Sequence, residues 1–314
     1  MTASSASSTG TSRPTWRVRL TALAMGTLAA GALVLTGGVS GNTANAANAA
    51  NAANGTNAAN AAAPTVVACP SASCRSLASG LGEPVTSVVD ASGNAYITYA
   101  NGDLRKVALA SGAKTTVAKG LGNLRGVDLD GNGGAYVGDF DGNLRKVNLA
   151  TGSQELLAAG LGPLHGIVHS AGVTYATGGA GKLYEVRPGQ PVRVVAAGLG
   201  LSQGIALDGK GFAYTADMMT GRILQTDLAS GAVKSLAKEQ YEPTSISVGS
   251  DGQVYFAVGS EVTRLNPVTG QAVEIATLRG LNSVFFKVDK NGDAYATDVV
   301  SGGGSLWKIT GLVG

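Results

Sequence analysis

Six tyrosines, Tyr96, Tyr136, Tyr175, Tyr214, Tyr255 and Tyr295, follow one another at intervals of 40, 39, 39, 41 and 40 residues. Such a period constrains the fold more than any other feature, because each unit must bury its apolar faces against another copy of itself. The tyrosines sit in short β patterns such as Ala95-Tyr96-Ile97-Thr98, Ala135-Tyr136-Val137, Ala213-Tyr214-Thr215 and Ala294-Tyr295-Ala296. Each is preceded by a β-rich run and a glycine-containing turn, as in Gly204-Ile205-Ala206-Leu207-Asp208. Each is followed by an alternating strand such as Leu104-Arg105-Lys106-Val107 or Leu144-Arg145-Lys146-Val147. A Ser/Thr-Gly turn comes next, at Ser111-Gly112, Thr151-Gly152, Ser230-Gly231 and Thr269-Gly270, and then a fourth strand such as Thr115-Thr116-Val117-Ala118. Four strands in about forty residues describe a propeller blade, and six copies describe a closed ring. The fold class is therefore all-β: a six-bladed β-propeller with four strands per blade. The 47 glycines among 314 residues agree, since each costs an interior helix position roughly 1 kcal/mol relative to alanine.

The sixth unit runs out at Gly311 to Gly314 after three strands. Its missing outer strand has a match at the other end of the repeat region. Arg75-Ser76-Leu77-Ala78-Ser79 parallels Lys234-Ser235-Leu236-Ala237-Lys238 of the fourth unit nearly position for position. Residues 66–79 are thus expected to pair with the last blade and to tie the ring shut. An open solenoid would have no need of this complement.

Residues 1–63 differ in composition and stand outside the fold argument. Arg13, Arg17 and Arg19 precede an apolar run from Leu20 to Leu35, the layout of a secretory signal. Ala/Asn repeats follow, with Ala44-Asn45-Ala46 the preferred cleavage triplet. The expected division is a signal peptide over 1–46, a low-complexity linker over 47–64 and the propeller over 65–314. The expected location is secreted; the alternative is a retained leader that anchors the ring to the outside of a membrane. Of 23 basic residues three lie in the leader, which holds no acid, so the remainder balances at 20 against 20. That leaves no basic surface for phosphates and excludes nucleic acid as a partner. Cys69 and Cys74, five positions apart in a chain marked for an oxidising space, are candidates for a local disulfide.

The phrases Gly126-Val127-Asp128-Leu129-Asp130 … Ala135-Tyr136-Val137-Gly138-Asp139 and Gly204-Ile205-Ala206-Leu207-Asp208 … Ala213-Tyr214-Thr215-Ala216-Asp217 resemble the NHL repeat. The resemblance covers nearly everything after the leader. Related rings include extracytoplasmic sensor domains of bacterial kinases, virginiamycin B lyase and the gluconolactonase group. It implies a propeller and leaves function open, because such rings host unrelated activities.

His165-Gly166-Ile167 resembles the His-Gly-Ile at the lyase channel mouth, and both histidines, His165 and His169, read into the first strand of the third blade. The lyases use two histidines and a glutamate from neighbouring blades. Here the equivalent positions are Val85, Arg125, Gln203 and Thr244, with Ser283 or Val284 in the less regular sixth blade. His169 lies four residues on, about 13 Å along a strand, and reads as a partnered core residue. Gly82-Glu83-Pro84-Val85 resembles the opening of the gluconolactonase metal set without its other ligands. Asp128-x-Asp130-x-Asn132-Gly133 has calcium-loop spacing, yet it sits at the first hairpin of a blade, where Asx and Gly serve the turn. Asp139, Asp217 and Asp298 follow the repeat tyrosine and are expected to bond nearby backbone.

No catalytic set, metal set or cofactor motif emerges. The expected role is a non-catalytic binding or scaffold propeller, a monomer that recognises a protein, peptide or small-molecule ligand. The alternative is a lyase or lactonase-type hydrolase at the channel mouth. The candidate binding residues are Arg125, His165 and Gln203, at the starts of first strands, with Phe140, Met218 and Met219 on the loops between second and third strands.

Overall fold

A computed structural model describes residues 65–313 except 70, 239, 283, 290 and 300–302. The expected signal peptide and Ala/Asn-rich linker lie outside the described residues.

Every regular element among the described residues is a strand. Two precede the repeats, β1 (Thr65–Ala68) and β2 (Cys74–Ala78). Blade one holds β3 (Pro84–Val89), β4 (Asn94–Tyr99), β5 (Leu104–Ala108) and β6 (Lys114–Ala118). Blade two holds β7 (Leu124–Leu129), β8 (Gly134–Asp139), β9 (Leu144–Asn148) and β10 (Gln154–Ala158). Blade three holds β11 (Ile167–Ser170), β12 (Val173–Gly178), β13 (Lys182–Val186) and β14 (Arg193–Ala196), and blade four β15 (Ser202–Leu207), β16 (Phe212–Asp217), β17 (Arg222–Asp227) and β18 (Val233–Ala237). Blade five holds β19 (Pro243–Val248), β20 (Val254–Val258), β21 (Glu261–Leu265) and β22 (Ala272–Arg279). Blade six holds β23 (Val284–Val288), β24 (Ala294–Asp298) and β25 (Ser305–Ile309). Within each blade consecutive strands pair antiparallel. The inner strands β3, β7, β11, β15, β19 and β23 each touch the next, and β23 touches β3, so the ring is closed.

The repeat tyrosine owes its place to a local task. In blade one the first hairpin is an Asx turn: Asp90 Oδ1 accepts the amides of Ser92 and Asn94 at 2.9 and 2.8 Å. Asp130, Asp208 and Asp289 do the same in their blades. The hydroxyls of Tyr96 and Tyr214 reach back to that carboxylate, Asp90 at 3.3 Å and Asp208 at 3.4 Å, while Tyr255 reaches Asp251, placed later in its turn, at 2.7 Å. Tyrosine thus fills the space between blades with its ring and fixes the turn with its tip. The calcium-like spacing around Asp130 is accounted for in this way; its second oxygen pairs with Lys146 Nζ at 3.2 Å.

The ends of the ring depart from the expected closure in one respect. β2 pairs antiparallel with β25 as the outer strand of blade six, Cys74 opposite Ile309 and Ala78 opposite Leu306. β1 does not join that blade. It runs parallel to β22 and gives blade five a fifth strand, Thr65 opposite Ala276 and Ala68 opposite Arg279. The reason is geometric. A turn at Ser71 and Cys74 carries the chain from one blade to the next, and Cys69 N donates to Arg279 O at 2.8 Å before the crossing. Cys69 and Cys74 are disulfide-bonded across this crossing, with Cα atoms 5.2 Å apart. Cys74 is fully buried in the core between the two blades.

Candidate ligand-binding mouth

The inner strands surround a central cavity of about 200 Å³, lined from all six blades. A bulge near the start of β7 sets the geometry. Leu124 pairs with Asp139 and Val127 with Val137, so Arg125 and Gly126 together face one residue of β8. Corresponding register shifts occur at β3, β15 and β19. The extra residue twists the strand and turns its side chain toward the lumen. Arg125, Gln203 and Thr244 occupy that place and line the cavity. His165 lines it too, but precedes β11 instead of lying in it as expected, and its amide donates to Thr177 O at 3.0 Å.

Among its described residues the inner strand of blade six has no bulge: Val284, Phe285 and Phe286 pair in unbroken register with Asp298, Thr297 and Ala296. Phe285, not Val284, faces the cavity from this strand, and Ser283 lies outside the described residues.

Glycine permits the close approach of neighbouring inner strands. A Cβ on Gly126 would meet His165 O at 2.6 Å, and one on Gly166 would meet Ile205 N at 2.9 Å. Threonines two places after the repeat tyrosine then bind blade to blade. Thr98 Oγ1 donates to Arg125 O at 3.0 Å, Thr177 Oγ1 donates to Ser202 O at 3.1 Å, and the hydroxyls of Thr297 and Ser87 share a hydrogen bond of 2.6 Å. The first of these fixes the backbone of Arg125 itself.

Three candidate residues meet at the mouth. The Arg125 guanidinium lies 5.3 Å from the Phe140 ring centroid, and Phe140 meets the His165 ring edge-on at 6.1 Å. Phe140 is held by its amide, which donates to Asn123 O at 2.8 Å, and the residue is 43% exposed. Burial, and then the Arg125 charge, hold the His165 imidazole below its ordinary range, so it is neutral near pH 7. Met219, 71% exposed, and the half-buried Met218 stand on the corresponding loop of blade four; neither lines the cavity. Tyr241, 77% exposed on the loop into β19, was not singled out from sequence, because it lies outside the repeat pattern.

Lys287 was also missed. From β23 it lines the cavity and reaches blade two, where Nζ donates to Asp128 Oδ1 at 2.9 Å and to Val127 O at 3.3 Å. Asp128 lies three residues beyond Arg125, about 10 Å deeper along the strand. Its other oxygen accepts the amide of His169 at 2.8 Å. The signal was available: a lysine in an inner strand, at the register place held elsewhere by Asp128, Ala206 and Ser247. His169 itself stacks on Tyr136 with centroids 3.9 Å apart, and its Nδ1 lies 2.9 Å from Thr174 Oγ1.

Asp139 and Asp217 do more than bond backbone. Asp139 accepts from Asn143 and from Arg145 at 2.7 Å, and Asp217 from Thr220, from Arg222 at 3.0 Å and from the Leu201 amide. Burial pushes both carboxyls up, but these hydrogen bonds outweigh it and hold both below the usual range. They anchor the loops that carry Phe140 and Met219. Among the described residues, no group of three or more His, Cys, Asp or Glu is placed to hold a metal ion.

No protein-family model and no curated relative matches the sequence. Solved structures do match the fold. A chain of a nidogen/laminin complex superposes with TM-score 0.57 at 16% identity, over 66% of this chain and 86% of that one. A catalytically inactive variant of virginiamycin B lyase from Staphylococcus aureus, crystallised with quinupristin, gives TM-score 0.57 at 14% identity, over 69% and 78%. The WD40 propeller domain of Doa1 gives 0.52 at 14%, over 74% and 96%. At these identities what is shared is the fold. The forty-residue repeats build a six-bladed β-propeller.

Proposed function

We propose that this protein is an exported, non-catalytic binding propeller that recognises a protein, peptide or small ligand at its channel mouth. The observation that carries the reading is the convergence of Arg125 and His165, from blades two and three, on one cavity of about 200 Å³, with the ring of Phe140 against both of them. A concave site with a few convergent polar groups among apolar walls is the usual form of a ligand pocket. Exposed Phe140, Met219 and Tyr241 give the surrounding loops the aromatic and methionine character of contact surfaces. Export is supported by the Arg-flanked apolar run and by the disulfide, which suits an oxidising space. The fold neighbours include a propeller from a protein–protein complex.

The test is retrieval from culture supernatant by the purified protein, repeated with Phe140→Ser and Met219→Ser. Loss of the retrieved partner with both variants, at unchanged melting temperature, supports the mouth; unchanged retrieval refutes it. A second reading, a channel-mouth lyase or hydrolase, rests on His165, whose neutral imidazole lines the cavity and is fit to accept a proton. A turnover screen of lactones and cyclic depsipeptides, repeated with His165→Ala, decides it.

A further inference from the structure

We propose that the cavity takes one carboxylate group, with Arg125 as its counter-cation and an apolar body seated against the surrounding walls. This rests on the mouth being the binding site and names the chemistry of what it binds.

Charge makes the first argument. Two cations line the cavity, Arg125 and Lys287, and no lining residue is acidic. Lys287 is already matched by Asp128 at 2.9 Å. Arg125 has no ion pair among the described residues, and its Nε is buried without a hydrogen-bond partner. A guanidinium is charged at any accessible pH and presents donors in a planar fork that fits a carboxylate. Its nearest ring partner, Phe140, offers a π face and accepts no conventional hydrogen bond. One uncompensated cation calls for one negative charge. The exposed acids near the rim, Glu83, Asp141 and Glu242, stand in water, where screening weakens their pull on the cavity.

The remaining lining sets the body of the ligand. Gln203 and Thr244, at the bulge places of blades four and five, supply neutral hydrogen-bonding groups around the same opening. Val85, Ile205, Ile246 and Phe285 supply apolar wall. A volume of about 200 Å³ equals some six or seven waters at ~30 Å³ each, which suits a small organic acid or the terminal residue of a peptide. A phosphate monoester carries close to two charges, more than the one unpaired guanidinium balances, and it matches this lining less well.

Isothermal titration of the purified full chain tests the proposal with phenylacetate, phenylacetamide, inorganic phosphate, and one apolar peptide with a free or amidated C-terminus. The expected result is phenylacetate or free-ended peptide binding with Kd of about 1 mM or tighter, with each amide at least tenfold weaker. Arg125→Gln should weaken the acids at least tenfold and leave the amides unchanged. Arg125→Lys, which keeps the charge and loses the fork, should fall between. Melting curves confirm that the variants fold. A free-ended peptide that binds better than phenylacetate assigns the carboxylate to a chain end, and the reverse order assigns it to a free acid. Equal binding of acid and amide, tighter binding of phosphate, or no binding of any acid overturns the proposal. Equal acid and amide binding that is lost in Phe140→Ser keeps the mouth as the site. Binding indifferent to Phe140→Ser, Met219→Ser and Arg125→Gln alike overturns both readings.

Discussion

Replacing Gly126 by alanine should loosen the ring at the wall of its cavity. Gly126 is not in the left-handed region, so the new side chain meets no backbone strain, only neighbours. Its Cβ would lie 2.6 Å from His165 O, 2.7 Å from Ile167 Cγ1 and 2.9 Å from Ile167 N. Two of these atoms are backbone of the adjacent blade, so blade three must shift to restore ordinary contact. Overpacking of this kind costs typically 1–3 kcal/mol. Restricting the unfolded chain offsets roughly 0.4–1 kcal/mol of it. The expected net loss is about 1–2 kcal/mol, or about 2–8 °C in melting temperature for a domain of this size. Urea unfolding with linear extrapolation measures it. Gly303→Ala is the control, since a Cβ there meets nothing within 4 Å, and it should change stability by less than about 0.5 kcal/mol. If Gly126→Ala is as stable as the control, the close approach of inner strands does not set the lumen, and the argument fails.

Deletion of residues 65–79 removes β2 and leaves β25 as an unpaired edge, so the melting temperature should fall sharply; deletion of 65–68 alone, whose side chains are mostly exposed, should cost much less. Equal effects in melting curves would contradict the division of labour between β1 and β2. Asp217→Asn should destabilise by about 1.5–3 kcal/mol, because a fully buried acceptor of charge-assisted bonds loses its charge. The lowered carboxyl means that wild type holds this contribution above the unfolded value near 3.9 and loses it as pH falls through the lower folded value; the variant should show a flatter acid limb. His165 should titrate by NMR below the ordinary imidazole value of about 6.5, and Arg125→Gln should move it upward. Its depressed value makes folding favoured above about 6.5 and penalised as pH falls from there; an unshifted midpoint in both proteins would refute the arrangement of the mouth.

The blade pattern was legible because most blades state it in the same few residues, tyrosine, Asx turn and Ser/Thr-Gly turn, and the third keeps at least the tyrosine. Arg125 and Gln203 each stand 11 residues before their tyrosine and His165 stands 10 before its own, close enough for counting to bring the three together. The same counting failed in blade six, where the missing bulge shifts the place by a residue and Phe285 and Lys287 went unrecognised. Strand β1 was assigned to the wrong blade for another reason. Four residues that pair in parallel at a sheet edge carry no alternation that names their partner. Lys287 meeting Asp128 across 159 positions is a property of the closed ring, and no local pattern encodes it.

The outer strand of blade six comes from the opposite end of the repeat region, and this sets a clock on biogenesis. Ser73 O accepts from Thr310 across 237 residues of chain. At 5–20 residues per second, synthesis separates these two positions by roughly ten to fifty seconds. Until then β2 has no partner, and the other blades can form while the ring remains open. Contacts of such long sequence separation are slow to close, because loop entropy is lost before any pairing is gained. Short β2, with exposed Arg75 and Ser76 on its free edge, is suited to wait without pairing with another chain.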